Sequence, residues 1–130
     1  MEEQPPSVVI QRAHAMTSSI VTLAERQLAA YNVADLDAFC ACYHSDVRVM
    51  TGEDVVRTGI TAFRASYARK FARGGFGATV PSRLHHGRHC VDEEHWWVDD
   101  PDTGERRGGV LLVRYLEQDG RIGLVQFLEW

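Results

Sequence analysis

Apolar positions recur at helical spacing in the first half of the chain and alternate in the second. Over 18–32, Ile20, Leu23, Ala24, Leu28 and Tyr31 fall three and four residues apart, which predicts one buried face of a helix. NVAD makes a corner, and LDAFCACYH predicts a second, short helix with Asp35 as N-cap and Leu36, Phe39, Cys40 and Tyr43 turned inward. SDVRVMT alternates and predicts a strand closed by the turn GED, and VVRT predicts a short edge strand. A third helix over about 61–73, with Phe63, Tyr67 and Phe71 on one stripe, stops at Gly74-Gly75.

Beyond that point the period is two. Strands are predicted over 77–86, 89–99, 106–117 and 121–130, separated by turns at Gly87, PDTG and QDG. Helices followed by a four-strand meander predict an α+β fold, three helices packed on one face of a strongly curved, mostly antiparallel sheet. Residues 1–17, with their acids and prolines, read as a lead-in, partly disordered or helical, and 18–130 as a single domain. A chain of 130 residues can bury a sufficient core without metal or disulfide.

Composition narrows the partners. A formal net charge of -4, with no basic stripe among exposed aromatics, opposes phosphate backbones, so no nucleic-acid partner is expected. No apolar run approaches the roughly 18–20 residues of a membrane span, and MEEQPPSVVIQ lacks the basic start and apolar centre of a signal peptide. The expectation is a cytoplasmic protein with no membrane partner. Cys40 and Cys42 point about 200° apart on a helix, and with Cys90 they read as reduced, buried small residues.

The densest chemistry lies in LHHGRHCVDEEHWWVDD, residues 84–100. Strand alternation splits these neighbours: Cys90, Asp92, Glu94 and Trp96 share one face, and Val91, Glu93, His95 and Trp97 the other. His85 and His86 are adjacent, so they face opposite ways, and His89 lies across a turn; convergent metal ligation is not expected, nor any cofactor. These histidines read as half-exposed strand residues or as hydrogen-bonding partners of nearby acids.

Four segments carry a family resemblance: AAYNVADLDAFCACYHSDVRV (29–49), TGITAFRASYARKF (58–71), CVDEEH (90–95) and RYLEQDGRIGLVQFLEW (114–130). On these the chain resembles the nuclear transport factor 2-like superfamily, the cystatin-like cone shared by SnoaL-like polyketide cyclases, ketosteroid isomerase and scytalone dehydratase. The resemblance implies a sheet curled around the long first helix, with a pocket inside the cone. It also implies where relatives keep their catalytic groups. The positions matching the ketosteroid isomerase base, oxyanion donor and tyrosine hold Thr51 or a neighbour, Val113 and Gln27, which excludes that activity by that route. The acid of the cyclases also falls on Val113, and the dehydratase's Tyr-Asp pair matches Tyr31-Asn32.

Placed on such a cone, Asp92, Glu94 and Trp96 face the concave side with Val113, Tyr115, Val125, Phe127 and Glu129. A carboxylate there must be hydrogen-bonded, paired, or protonated by a raised pKa. The expected acid–base set is Asp92 and Glu94 with Tyr31, and the expected ligand contacts are Tyr67, Phe39, Phe63, Trp96, Tyr115, Phe127, Glu129, Thr51 and His86. In the competing reading, Asp92 and Glu94 are bridged across strands to Arg88, Arg106 or Arg114. The resemblance further implies cofactor-independent isomerase, dehydratase, cyclase or hydrolase chemistry on a small, partly hydrophobic molecule, or else a non-catalytic ligand-binding or accessory domain. A homodimer is expected through the convex sheet face, where Trp97, Arg114 and Trp130 are placed.

Overall fold

A computed structural model describes residues 19–130. The lead-in predicted over 1–17 lies outside the described residues. The elements run α1 (Ser19–Asn32), α2 (Leu36–Cys40), β1 (Tyr43–Thr51), β2 (Asp54–Thr58), α3 (Ile60–Arg73), β3 (Phe76–His86), β4 (His89–Asp99), β5 (Arg106–Gln118) and β6 (Arg121–Glu129). Six strands form one sheet in the order β2-β1-β6-β5-β4-β3, antiparallel except for β1 beside β6. This is the predicted α+β architecture.

Local chemistry sets the boundaries. Asp35 caps α2 by accepting from the Ala38 N–H at 3.1 Å. The second helix ends earlier than expected, at Cys40, because Ile122 N–H donates to the Cys42 carbonyl at 2.9 Å and draws the chain into the sheet. Tyr43 therefore opens β1 rather than closing a helix. Gly74, at φ 69°, ends α3 in a backbone region that residues with a Cβ seldom adopt. Asn32, at the end of α1, bonds both backbone groups of Ala78, at 2.8 and 2.9 Å, and so satisfies part of the exposed edge of β3.

The core lies between the helices and the concave face. Ile20, Leu23 and Ala24 of α1, Phe39 of α2, Phe63 and Phe71 of α3, and Val47, Val49, Val113, Ile122 and Val125 of the sheet are all buried. Phe39 is its hub, within 5.9 Å of the rings of Tyr31, Tyr43, Phe63, Tyr67 and Phe71. The three cysteines are buried and free.

The adjacent tryptophans part as alternation requires. Trp96 lies opposite Gly109 and Trp97 opposite Gly77, and each indole covers its glycine so closely that a Cβ there would come within 2.8 and 2.5 Å of it. Trp96 thus belongs to the concave face and Trp97 to the convex one, where the Arg106 guanidinium stacks 3.8 Å from its ring. Arg114 is also convex, donating to Gln126 at 2.8 Å. Trp130 sits apart from them, against the β1–β2 turn at Gly52.

Two bulges overturn simple alternation. In β3 the register slips between Thr79 and Ser82, around Pro81, which has no N–H to pair. Arg83 thereby comes opposite Asp92 on the concave face, and His86, paired with His89, is carried out of the cone and exposed. A second slip lies between Phe127 and Glu129: Phe127 pairs with Val113 on the concave side, Glu129 with Leu112 on the other. Glu129 is accordingly exposed and stands outside the cavity where the sequence placed it inside.

Candidate active site

The cone encloses a cavity of about 350 Å³. Its wall includes all four tyrosines of the chain, Tyr31 from α1, Tyr43 from β1, Tyr67 from α3 and Tyr115 from β5. Leu28, Phe39, Trp96, Val98, Leu111, Val125 and Phe127 supply the apolar remainder, and Gln27, Lys70, Arg107 and Glu94 the polar groups. A more open groove of about 700 Å³ runs outside along α1 and α2, and its charged members are only Arg26, Asp35 and Arg121.

The expected residues divide. Tyr31, Tyr67, Phe39, Glu94, Trp96, Tyr115 and Phe127 converge on this one space. Phe63 does not reach it; it is 1% exposed and stacks behind Phe39, a core residue. Thr51 shares the register row of Phe127 but lies at the far end of β1, beyond the wall. His86 and Glu129 are excluded by the two bulges.

Asp92 points inward but never reaches the cavity. It is 1% exposed, and both carboxylate oxygens are taken by Arg83, Nε to Oδ1 at 2.7 Å and Nη2 to Oδ2 at 2.9 Å. The Cys90 thiol donates to the same Oδ1 at 3.3 Å. The partner is thus Arg83 rather than Arg88, Arg106 or Arg114; Arg106 instead holds Asp99 and Arg114 holds Gln126. Held bidentately by Arg83, bonded by Cys90 and shut off from the cavity, Asp92 is a structural anion and does not meet a ligand there.

Glu94, one pleat along, has no cation within ion-pair distance among the described residues. Burial first, then the Asp92 charge, push its pKa up to about 7, with Lys70 acting in the opposite sense. Burial is also the largest cause raising all four phenols, and the Glu94 charge adds to each. They remain protonated, and hence hydrogen-bond donors, throughout the neutral range.

Gln27 organises the floor. It is 5% exposed; its Oε1 accepts from the Tyr43 hydroxyl at 3.0 Å, and its Nε2 donates to the Tyr115 oxygen at 3.3 Å. The Tyr115 oxygen is an acceptor in that bond, so its own proton is available to the cavity. Lys70 stands at the α3 side, donating to the Tyr31 hydroxyl at 2.5 Å.

No group of three or more His, Cys, Asp or Glu that could hold a metal ion occurs among the described residues. No helix among them is long and apolar enough to cross a membrane.

A curled sheet closed by three helices over a tyrosine-lined cavity defines a cystatin-like cone of the nuclear transport factor 2-like superfamily. The chain belongs to the SnoaL-like domain family, whose model matches residues 24–124. No curated protein matches it in sequence. Among solved structures it is similar to an uncharacterized cystatin-fold protein from Novosphingobium aromaticivorans, at 23% identity and TM-score 0.72, over 85% of this chain and 97% of that one. An LEH-like epoxide hydrolase from M. tuberculosis is similar at 20% identity and TM-score 0.74, over 86% and 83% of the two chains. RV0760c from Mycobacterium tuberculosis, solved in complex with estradiol-17beta-hemisuccinate, is similar at 13% identity and TM-score 0.73, over 85% and 93%. At these identities the likeness defines the fold.

Proposed function

We propose that the cavity binds a small, largely apolar organic molecule and that Glu94 moves a proton on it without a cofactor. One observation carries this reading: Glu94, among the described residues the one carboxyl on a largely apolar and aromatic wall, has its pKa pushed up to about 7. A group poised there is available both as base and as acid near neutral pH. In this reading Tyr115, polarised by Gln27 and with its proton free, donates to an oxygen that gains charge as Glu94 takes a proton from the neighbouring carbon, which its Gln27 bond and its position on the wall support. The role of Tyr31 differs: its oxygen already accepts from Lys70, so it relays that cation's influence to the cavity. The reaction class supported is proton abstraction beside a carbonyl, the step shared by isomerisations, eliminations and cyclisations.

Exchange of α-protons for deuterium, followed by proton NMR over a panel of cyclic and aryl ketones, tests the step without knowledge of the natural substrate. At least one ketone that binds should exchange faster with the protein, and Glu94→Gln should reduce that rate by about 10²–10⁴-fold. Binding without acceleration across the panel would instead make the domain a ligand carrier.

A further inference from the structure

Among the described residues, Lys70 and Arg107 are the two cations on the cavity wall, against the single carboxyl of Glu94. The chain as a whole carries a formal net charge of -4, so this positive excess is local. Lys70 extends from the last turn of α3, half-buried, with its ammonium 5.0 Å from the Tyr31 ring centre and 4.9 Å from that of Phe76. One of its three N–H groups is used, on the Tyr31 hydroxyl. Arg107, exposed at the mouth, lies 6.0 Å from the Trp96 ring. Among the described residues, no carboxylate lies within ion-pair distance of either cation, whereas Arg64, Arg83 and Arg106 are each held by an aspartate. A partly desolvated ammonium with two unused donors, lining a cavity whose wall also carries a second cation, is half of an anion site.

We propose that the ligand is an amphiphilic carboxylate whose apolar body lies against the aromatic wall and whose carboxylate lies at the mouth, between Lys70 and Arg107. The inference rests on the reading of this cavity as a small-molecule site and names the class of molecule. One ammonium and one planar guanidinium match the two oxygens of a carboxylate.

The test uses matched probes in the full chain, 2-naphthoate against 2-naphthamide and benzoate against benzamide, titrated by calorimetry at low and high salt. Each acid should bind at least about tenfold more tightly than its amide at low salt. Lys70→Met should remove that preference while leaving amide affinity in place, Lys70→Arg should restore most of it, and Arg107→Gln should cause a smaller loss. Equal affinity of acid and amide in the unaltered protein, or a preference that survives Lys70→Met, overturns the carboxylate assignment and leaves the role of Glu94 standing. Failure of acid and amide alike to bind overturns both.

Discussion

Asp92 and Glu94 stand two residues apart on the same face of one strand, yet they are in opposite electrostatic situations. Asp92 is the more deeply buried, and both its oxygens accept from Arg83, with Cys90 donating a third bond. Glu94 is less buried but has no counter-ion in contact among the described residues, and burial with the Asp92 charge pushes its carboxyl up to about 7. What decides whether a buried acid is structural or reactive here is the partner, and burial sets only what the lack of one costs. The partner in turn is delivered by a single register slip at Pro81, which turns Arg83 inward.

The largest effect should come from breaking the satisfied pair. Asp92→Ala leaves the Arg83 guanidinium largely buried, with only the more distant Glu25 at 3.4 Å, and should cost about 3–5 kcal/mol in urea unfolding. Had Asp92 been part of the acid–base set, as its face suggests from sequence, its replacement would have cost activity at little cost in stability. A loss below about 1 kcal/mol in this variant would erase the contrast with Glu94.

Much of this contrast was legible in the sequence, and the missing part has a physical cause. Alternation correctly grouped Cys90, Asp92, Glu94 and Trp96, because β4 pairs with β5 without interruption over its whole length. It failed for His86 and Glu129, since each lies beyond a bulge and one extra residue reverses every side chain that follows. Pro81 inside a predicted strand was the available signal for the first bulge; nothing comparable marks the second. Lys70 and Arg107 were overlooked as well, although Lys70 follows Tyr67 by three residues and so shares its helix face. Gln27 came forward only as a position where a relative keeps a tyrosine. Its actual role, bridging Tyr43 and Tyr115, depends on a bond from Gln27 to a residue 88 positions away and could not be read from spacing.

A somewhat smaller effect should separate the two acids by pH. The folded-state pKa of Glu94, about 7, lies above its ordinary value of 4.5, so the folded protein holds the extra proton. Where the folded state binds more protons, stability falls as pH rises, and here the fall spans about pH 4.5 to 7 and reaches at most about 3 kcal/mol. Glu94→Gln abolishes this contribution. Subtracting the unfolding free energies of the two proteins at each pH cancels every other titrating group, and the difference should favour the Gln variant increasingly up to about pH 7 and then level off. A difference that is flat with pH would mean that Glu94 is not held near neutrality, and the proton-transfer reading would lose its support.

The smallest expected effect probes whether the cavity can be altered without disturbing the ion pair beside it. Gly109 pairs with Trp96, and a Cβ there would come within 2.8 Å of the indole. Gly109→Ala must therefore push Trp96 off the sheet, and the indole, which already forms part of the wall that Glu94 shares, should yield into the cavity. The overpacking should cost about 1–3 kcal/mol. Gly77→Ala imposes the same clash on Trp97, at 2.5 Å, but on the convex face, where Arg106 stacks on the ring and the cavity is not touched. Both variants should lose stability to a similar degree, while only Gly109→Ala should weaken binding of 2-naphthamide and, by desolvating Glu94 further, move the plateau of its pH difference upward. Equal loss of binding in both would show that the wall communicates through the sheet, so that the cavity's chemistry could not be assigned to the concave face alone.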